Sequence, residues 1–117
     1  MKFIKLISFL LFFINQLFFA QELPPIIKFN SNYYKAGSQN WMIDQDKSEF
    51  IYFANNEGLL EFNGTEWKLY PSPNETILRS VKVVGNKIYT GCYMEFGYWS
   101  RVDDGSLKYI SLSNKIK

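Results

Sequence analysis

Histidine is absent from all 117 residues, and cysteine occurs once, at Cys92. The first absence removes the commonest general base and the commonest transition-metal ligand. A Ser–His or Cys–His nucleophilic centre therefore cannot be assembled within this chain. The second excludes a disulfide framework, which needs cysteines in pairs. Clustered charge is missing too. Lys and Arg are scattered singly, with no patch or stripe that would follow a phosphate backbone, so no nucleic-acid contact is expected. Beyond residue 20 no segment sustains helical periodicity. Stability has to come from packing or from a larger assembly, and the aromatic share of 19% supplies material for packing.

The first twenty residues stand apart from the rest. MKFIKLISFLLFFINQLFFA places Lys2 and Lys5 before an apolar run from Leu6 to Ile14 and ends in Ala20. That order predicts a secretory signal peptide over residues 1–20, cleaved between Ala20 and Gln21, although Phe18 fits poorly at the small-residue position. Asn15 and Gln16 interrupt the run, which is short for a membrane span of about 20 residues. Without Lys2 and Lys5, 11 basic residues face 11 acidic ones, and the exported part is formally neutral.

The chain beyond the leader contains an internal repeat. IYFANNEGLLEF, from Ile51, lies over IYTGCYMEFGYW, from Ile88, at a constant offset of 37 residues. Ile51, Tyr52, Ala54, Leu59 and Phe62 match Ile88, Tyr89, Gly91, Phe96 and Trp99. An insertion at Val102–Gly105 then brings WKLY, from Trp67, against LKYI, from Leu107. Within each repeat, short apolar runs alternate with turn chemistry. QNWMI, FIYFA, GLLEF and EWKLY read as strands in the first, and RSVKVV, KIYTGC, FGYWS and SLKYISL in the second. Asn63–Gly64 and Asp104–Gly105 are hairpin-turn dipeptides that tolerate left-handed backbone.

Four short antiparallel strands about every 40 residues form the pattern of a β-propeller blade. The predicted fold is all-β: a signal peptide and then about two four-stranded antiparallel blades, an incomplete ring. Its alternative is a small two-sheet sandwich of eight strands. Residues 21–39 form an N-terminal segment in which IIKF, after Pro24 and Pro25, is a possible edge strand. Blade one covers 40–75 and blade two 76–113, with 114–117 a truncated continuation. PSPNE, Pro71 to Glu75, separates the blades.

QNWMI, IYFANNEGLLEFNG, YPSPN and above all IYTGCYMEFGYW resemble the start of bacterial two-component regulator propeller sensors. The similarity extends to the exported group whose propeller precedes a triple-tyrosine domain, a membrane helix and a LuxR-type helix-turn-helix, and it covers Gln21 to Ser113. The resemblance implies a periplasmic sensor that relays a signal across the inner membrane to transcription. The further blades and downstream domains of that family are absent, so the chain reads as an N-terminal fragment. Membrane contact is then expected only through the leader or a missing downstream helix. Two blades alone would leave apolar sheet faces bare.

Chemistry-bearing residues are few. Cys92 has no histidine and no evident cationic neighbour to make it a nucleophile, and reads as a small strand residue. Asp44, Asp46 and Glu49 lack the glycine and bidentate glutamate of a calcium loop and read as a solvated turn. Asn63–Gly64–Thr65 and Asn74–Glu75–Thr76 match the glycosylation acceptor pattern but read as turns. Glu57, Glu61, Glu66 and Glu95 show no pairing suited to glycoside hydrolysis. No enzyme activity, metal or cofactor is expected. The remaining candidate is a binding surface for an unknown polar ligand or protein partner. The repeat puts Asn55–Asn56–Glu57 and Tyr93–Met94–Glu95 in matching three-residue loops on one rim, where aromatic, amide and carboxylate groups suit a polar ligand such as a sugar. The competing reading has Tyr93 and Met94 plug the blade interface. The functional expectation is the sensor part of an exported signal-transduction regulator. Its alternative is a secreted stand-alone propeller acting as a carbohydrate-binding or adaptor module.

Overall fold

A computed structural model describes residues 1–16 and 22–116. The apolar N-terminal residues form α1, Lys2–Gln16. Among the described residues no helix is long and apolar enough to cross a membrane. The expected cleavage point, Ala20–Gln21, lies outside the described residues.

Eight strands come after it, in two four-stranded antiparallel sheets of identical connectivity. The first sheet contains β1 Asn40–Gln45, β2 Ile51–Asn55, β3 Gly58–Phe62 and β4 Trp67–Pro71. The second contains β5 Ser80–Val84, β6 Lys87–Cys92, β7 Glu95–Arg101 and β8 Leu107–Ser111. Each strand pairs with its sequence neighbour, so both sheets are simple meanders. The chain is thus all-β after its first segment, as the alternating apolar runs and turn dipeptides require.

The turns carry much of the register. Asn63 Oδ1 accepts from Thr65 N and Glu66 N at 2.9 and 2.8 Å, closing the β3–β4 turn with Gly64 at φ +99°. Asp46 Oδ1 accepts from Ser48 N and Phe50 N and shapes the β1–β2 loop in the same manner. Such side-chain-to-backbone bonds imitate a turn's own hydrogen bond and pin the strands on either side.

Register places Tyr52, Ala54, Leu59, Glu61 and Tyr70 on one face of the first sheet. Val81, Ile88, Thr90, Trp99 and Tyr109 share one face of the second. These faces meet, with Leu78 between them, in a single core that includes Leu107. The innermost strands β1 and β5 lie side by side at this joint. Asp44 Oδ2 accepts from Val83 N across it at 2.7 Å.

The opposite face of the first sheet is covered by the N-terminal segment. IIKF is irregular here and forms no edge strand. Instead Phe29 packs edge-on to Trp67 and against Phe62, and Tyr34, in the short helix α2 (Ser31–Tyr34), packs on Trp67 as well. Packing aromatic rings against a sheet face is favoured in proportion to the apolar area removed from water and by edge-to-face ring geometry. Asn30 caps α2 by accepting from Tyr33 N. Among the described residues no such layer lies on the outer face of the second sheet, where Val84 and Phe96 are exposed.

Several strand boundaries differ from the sequence reading by a residue or two. Asp44 and Gln45 belong to β1, and Glu66 to the β3–β4 turn. The loops expected to hold three residues hold two. Asn55 pairs with Gly58 and Cys92 with Glu95, so only Asn56–Glu57 and Tyr93–Met94 lie outside the ladders. The left-handed conformations that tight two-residue turns need are taken by Met94 at φ +58° in the second loop, while Gly58, at φ +149°, opens β3 after the first.

Candidate functional site

The meander puts the β2–β3 and β6–β7 hairpin tips at one end of the sheet pair and the β1–β2, β5–β6 and β7–β8 turns at the other. Both ends carry polar groups at the joint between sheets, with different degrees of commitment to the fold.

At the hairpin end, the six predicted residues divide. Asn55 is fully buried. Its amide donates to Gly37 O and Asn40 Oδ1, and its Oδ1 accepts from Gly37 N and Glu57 N. Every polar valence that geometry allows is used, so this side chain ties the entering chain to the hairpin. Asn56 accepts from the Trp41 indole at 2.8 Å, and Glu57 is exposed beside it. Tyr93 and Met94 stand out into solvent, 73% and 82% exposed, and do not fill the joint. Glu95 lies within β7, where Tyr109 Oη donates to it at 2.8 Å and the Ser113 hydroxyl hydrogen-bonds it. Burial raises the Tyr109 phenol above its ordinary value, and the Glu95 carboxylate adds to the shift. The exposed candidates on this end are therefore Glu57, Tyr93 and Met94, with Asn56 half-buried beside them.

The loop linking the sheets braces the second tip. Asn74 Nδ2 donates to Tyr93 O at 2.7 Å, and Thr76 Oγ1 accepts from Tyr93 N. Cys92 Sγ lies 3.3 Å from Asn74 Oδ1 in the same brace. The asparagine of the Asn74–Glu75–Thr76 triplet is thereby a tertiary link as well as a turn residue.

Two further residues share this end and were missed by sequence reasoning. Trp41 sits at the register shift between Asn40 and Met42. The Arg79 guanidinium lies 4.1 Å from the centre of its ring. Their separation along the chain hid them, although the Trp within the strand run QNWMI was a signal available.

At the other end a cleft of about 230 Å³ opens between the sheets, lined by Asp46, Lys47, Ser48, Tyr52, Asn86 and Arg101 among others. Arg101 Nη2 donates to Glu61 Oε2 at 2.6 Å and to Tyr52 Oη at 3.0 Å, while Nη1 donates to Gly105 O. Tyr52 Oη in turn donates to Asp46 Oδ2 at 2.7 Å. Burial raises the Tyr52 phenol well above the usual tyrosine range, reinforced by the Asp46 bond and charge. Burial works to lower the Arg101 value, but the Glu61 bond and charge, with Tyr52, outweigh it and hold the cation. Every charged member faces a partner, so the network locks the sheets together. It offers no unpaired acid or base for catalysis.

The acidic residues considered for metal or hydrolytic chemistry are dispersed. Asp44, Asp46, Glu61 and Glu95 each bind different protein groups. Among the described residues no group of three or more Asp, Glu, Cys or His is placed to hold a metal ion. No protein-family model, no curated protein and no solved structure matches this chain.

Proposed function

We propose that the two sheets are successive blades of a β-propeller, and that the chain is the N-terminal, periplasmic sensory part of a bacterial signal-transduction and transcription regulator. It is non-enzymatic and binds an extracytoplasmic polar ligand or partner at the hairpin end. The observation that carries this reading is the stacking itself. Two meanders with the same four-strand order pack face to face, with β1 beside β5 and both second hairpins at one end. That arrangement suits a ring of radially repeated sheets whose inner strands line an axis. Exposed Tyr93, Met94 and Glu57, with half-buried Asn56, then form a contact surface at one end of that ring. Support for export comes from the Lys2–Ala20 order of charge, apolar run and small residue.

The test is genetic. The Tyr93→Ala, Met94→Ala double variant is placed at the chromosomal locus, and transcripts are compared with those of the parent and a deletion strain. The reading expects a defined set of genes to change in the deletion and in the double variant alike, with export verified by an alkaline phosphatase fusion at the C-terminus. An unchanged transcript profile together with retained binding to a glycan array would favour the stand-alone carbohydrate-binding module instead.

A further inference from the structure

Trp41 is turned out of the β1–β2 ladder by the register shift between Asn40 and Met42, and remains 40% exposed. Its indole N–H is fixed by Asn56 Oδ1 at 2.8 Å, which sets the plane of the ring. Arg79 is anchored at the start of β5 by its backbone N–H, which donates to Gly91 O at 2.9 Å. Its guanidinium stacks on Trp41 at 4.1 Å, yet the residue is exposed and forms no ion pair among the described residues. The contrast with Arg101 is direct, since that guanidinium donates to a carboxylate, a phenol and a carbonyl within the chain. A guanidinium held flat on an aromatic ring has already lost much of its rotamer freedom. It keeps its N–H edge for a planar, two-oxygen acceptor.

We infer that Arg79, stacked on Trp41 and oriented through Asn56, is a recognition site for the carboxylate of an acidic ligand. The site joins the two sheets, because Trp41 and Asn56 belong to the first and Arg79 to the second. It rests on the reading of this end as a ligand-binding surface and specifies the ligand class for it. Fork geometry favours a carboxylate, with both oxygens in one plane, and a compact ammonium in place of the guanidinium would lose that match.

The experiment uses the isotope-labelled full chain and follows the Arg79 Nε–H and Trp41 indole resonances by NMR. Acetate and glucuronate are the carboxylate probes; glucose is the neutral control and glucose 6-phosphate the phosphate arm, all at constant ionic strength. Saturable shifts at Arg79 and Trp41 with both carboxylates, absent with glucose, are expected. Arg79→Gln is expected to weaken glucuronate binding by roughly tenfold or more, and Arg79→Lys by a smaller factor, because a charge without the fork recovers only part of the interaction. An unshifted Trp99 indole resonance certifies that each variant is folded. Equal affinity in wild type and Arg79→Gln would overturn the inference, as would tighter binding of the phosphate than of glucuronate. Shifts confined to Asn56–Glu57 and Tyr93–Met94 would also overturn it while leaving this end a ligand surface. Binding at Arg79 with no transcriptional effect of Arg79→Gln would support it and remove the sensor reading.

Discussion

In the first sheet, the tie between the entering chain and its second hairpin is made by a strand residue. The buried Asn55 amide grips the backbone of Gly37. The second sheet makes the same tie with the parts exchanged. Asn74, which stands 37 residues after Gly37, supplies the amide from the entering chain, and Cys92 occupies the strand position of Asn55. One asparagine is needed in each corner, and either side of the corner can provide it. A similar exchange runs through the interior. Leu60 is fully buried in the first sheet, while Gly97 holds its place in the second. A Cβ at Gly97 would collide with Ile110 O and the Tyr109 ring, so the aromatic ring fills what the leucine fills elsewhere. The two sheets repeat a backbone and a volume, not a list of side chains.

The comparison can be broken most severely at that glycine. Gly97→Leu copies the first sheet into the second and is expected to prevent the second sheet from packing, with a loss of about 3 kcal/mol or more in denaturant unfolding. Gly91→Ala, which copies Ala54, meets only the flexible Ser80 hydroxyl and is expected to be tolerated far better. The next effect tests what joins the sheets. Arg101→Ala leaves Glu61, 8% exposed at its side chain, without its cation and is expected to cost about 2 kcal/mol. A double-mutant cycle with Glu61→Gln should show positive coupling between them, and additive losses would disprove the lock.

A smaller effect separates the two interior tryptophans. Trp99 Nε1 donates to Thr90 Oγ1 at 2.9 Å, whereas the buried Trp67 Nε1 has no hydrogen-bond partner among the described residues. Trp99→Phe should therefore cost about 1 kcal/mol more than Trp67→Phe, read from the shift in denaturation midpoint at constant slope. The smallest effect concerns pH. The hydrogen bond from Val83 N holds the Asp44 carboxyl below its ordinary value. A depressed folded-state pKa gives stability that is present above the unfolded value, near 3.8, and is lost as pH falls through the folded value. Asp44→Asn should flatten that acid limb by removing the contribution present near neutral pH, leaving stability below the folded value almost unchanged. Lys82→Gln, which removes a charge that also lowers the Asp44 value, should flatten the same limb by a smaller amount.

Much of this fold was legible before the structure. The offset repeat, Asn63–Gly64 and Asp104–Gly105 located all eight strands, because strand and turn preferences act over a few residues. Asn55 and Glu95 were read as loop residues since polarity alone does not reveal a ladder partner or a buried amide. IIKF has the composition of a strand, and only the aromatic face formed by Phe62 and Trp67 gave Phe29 a better place. The contacts that were invisible are those between sheets. Arg79 on Trp41 and Arg101 on Glu61 depend on how two twisted sheets stack, which no local pattern encodes. The hairpin tips at Asn56–Glu57 and Tyr93–Met94 were legible as positions, but their neighbours were not.

The meander order has a kinetic consequence. Every ladder joins sequence neighbours across a short turn, so each sheet closes through loops of low contact order and can form quickly on its own. The joint is different. Arg101 must find Tyr52 and Glu61 across separations of 49 and 40 residues, after most of the chain has been ordered. The sheets are therefore the early units of folding and the joint the late one. In native-state hydrogen exchange the amides bridging the joint, Val83 and Leu107, should open before those inside β2 and β6, marking the seam along which the molecule comes apart.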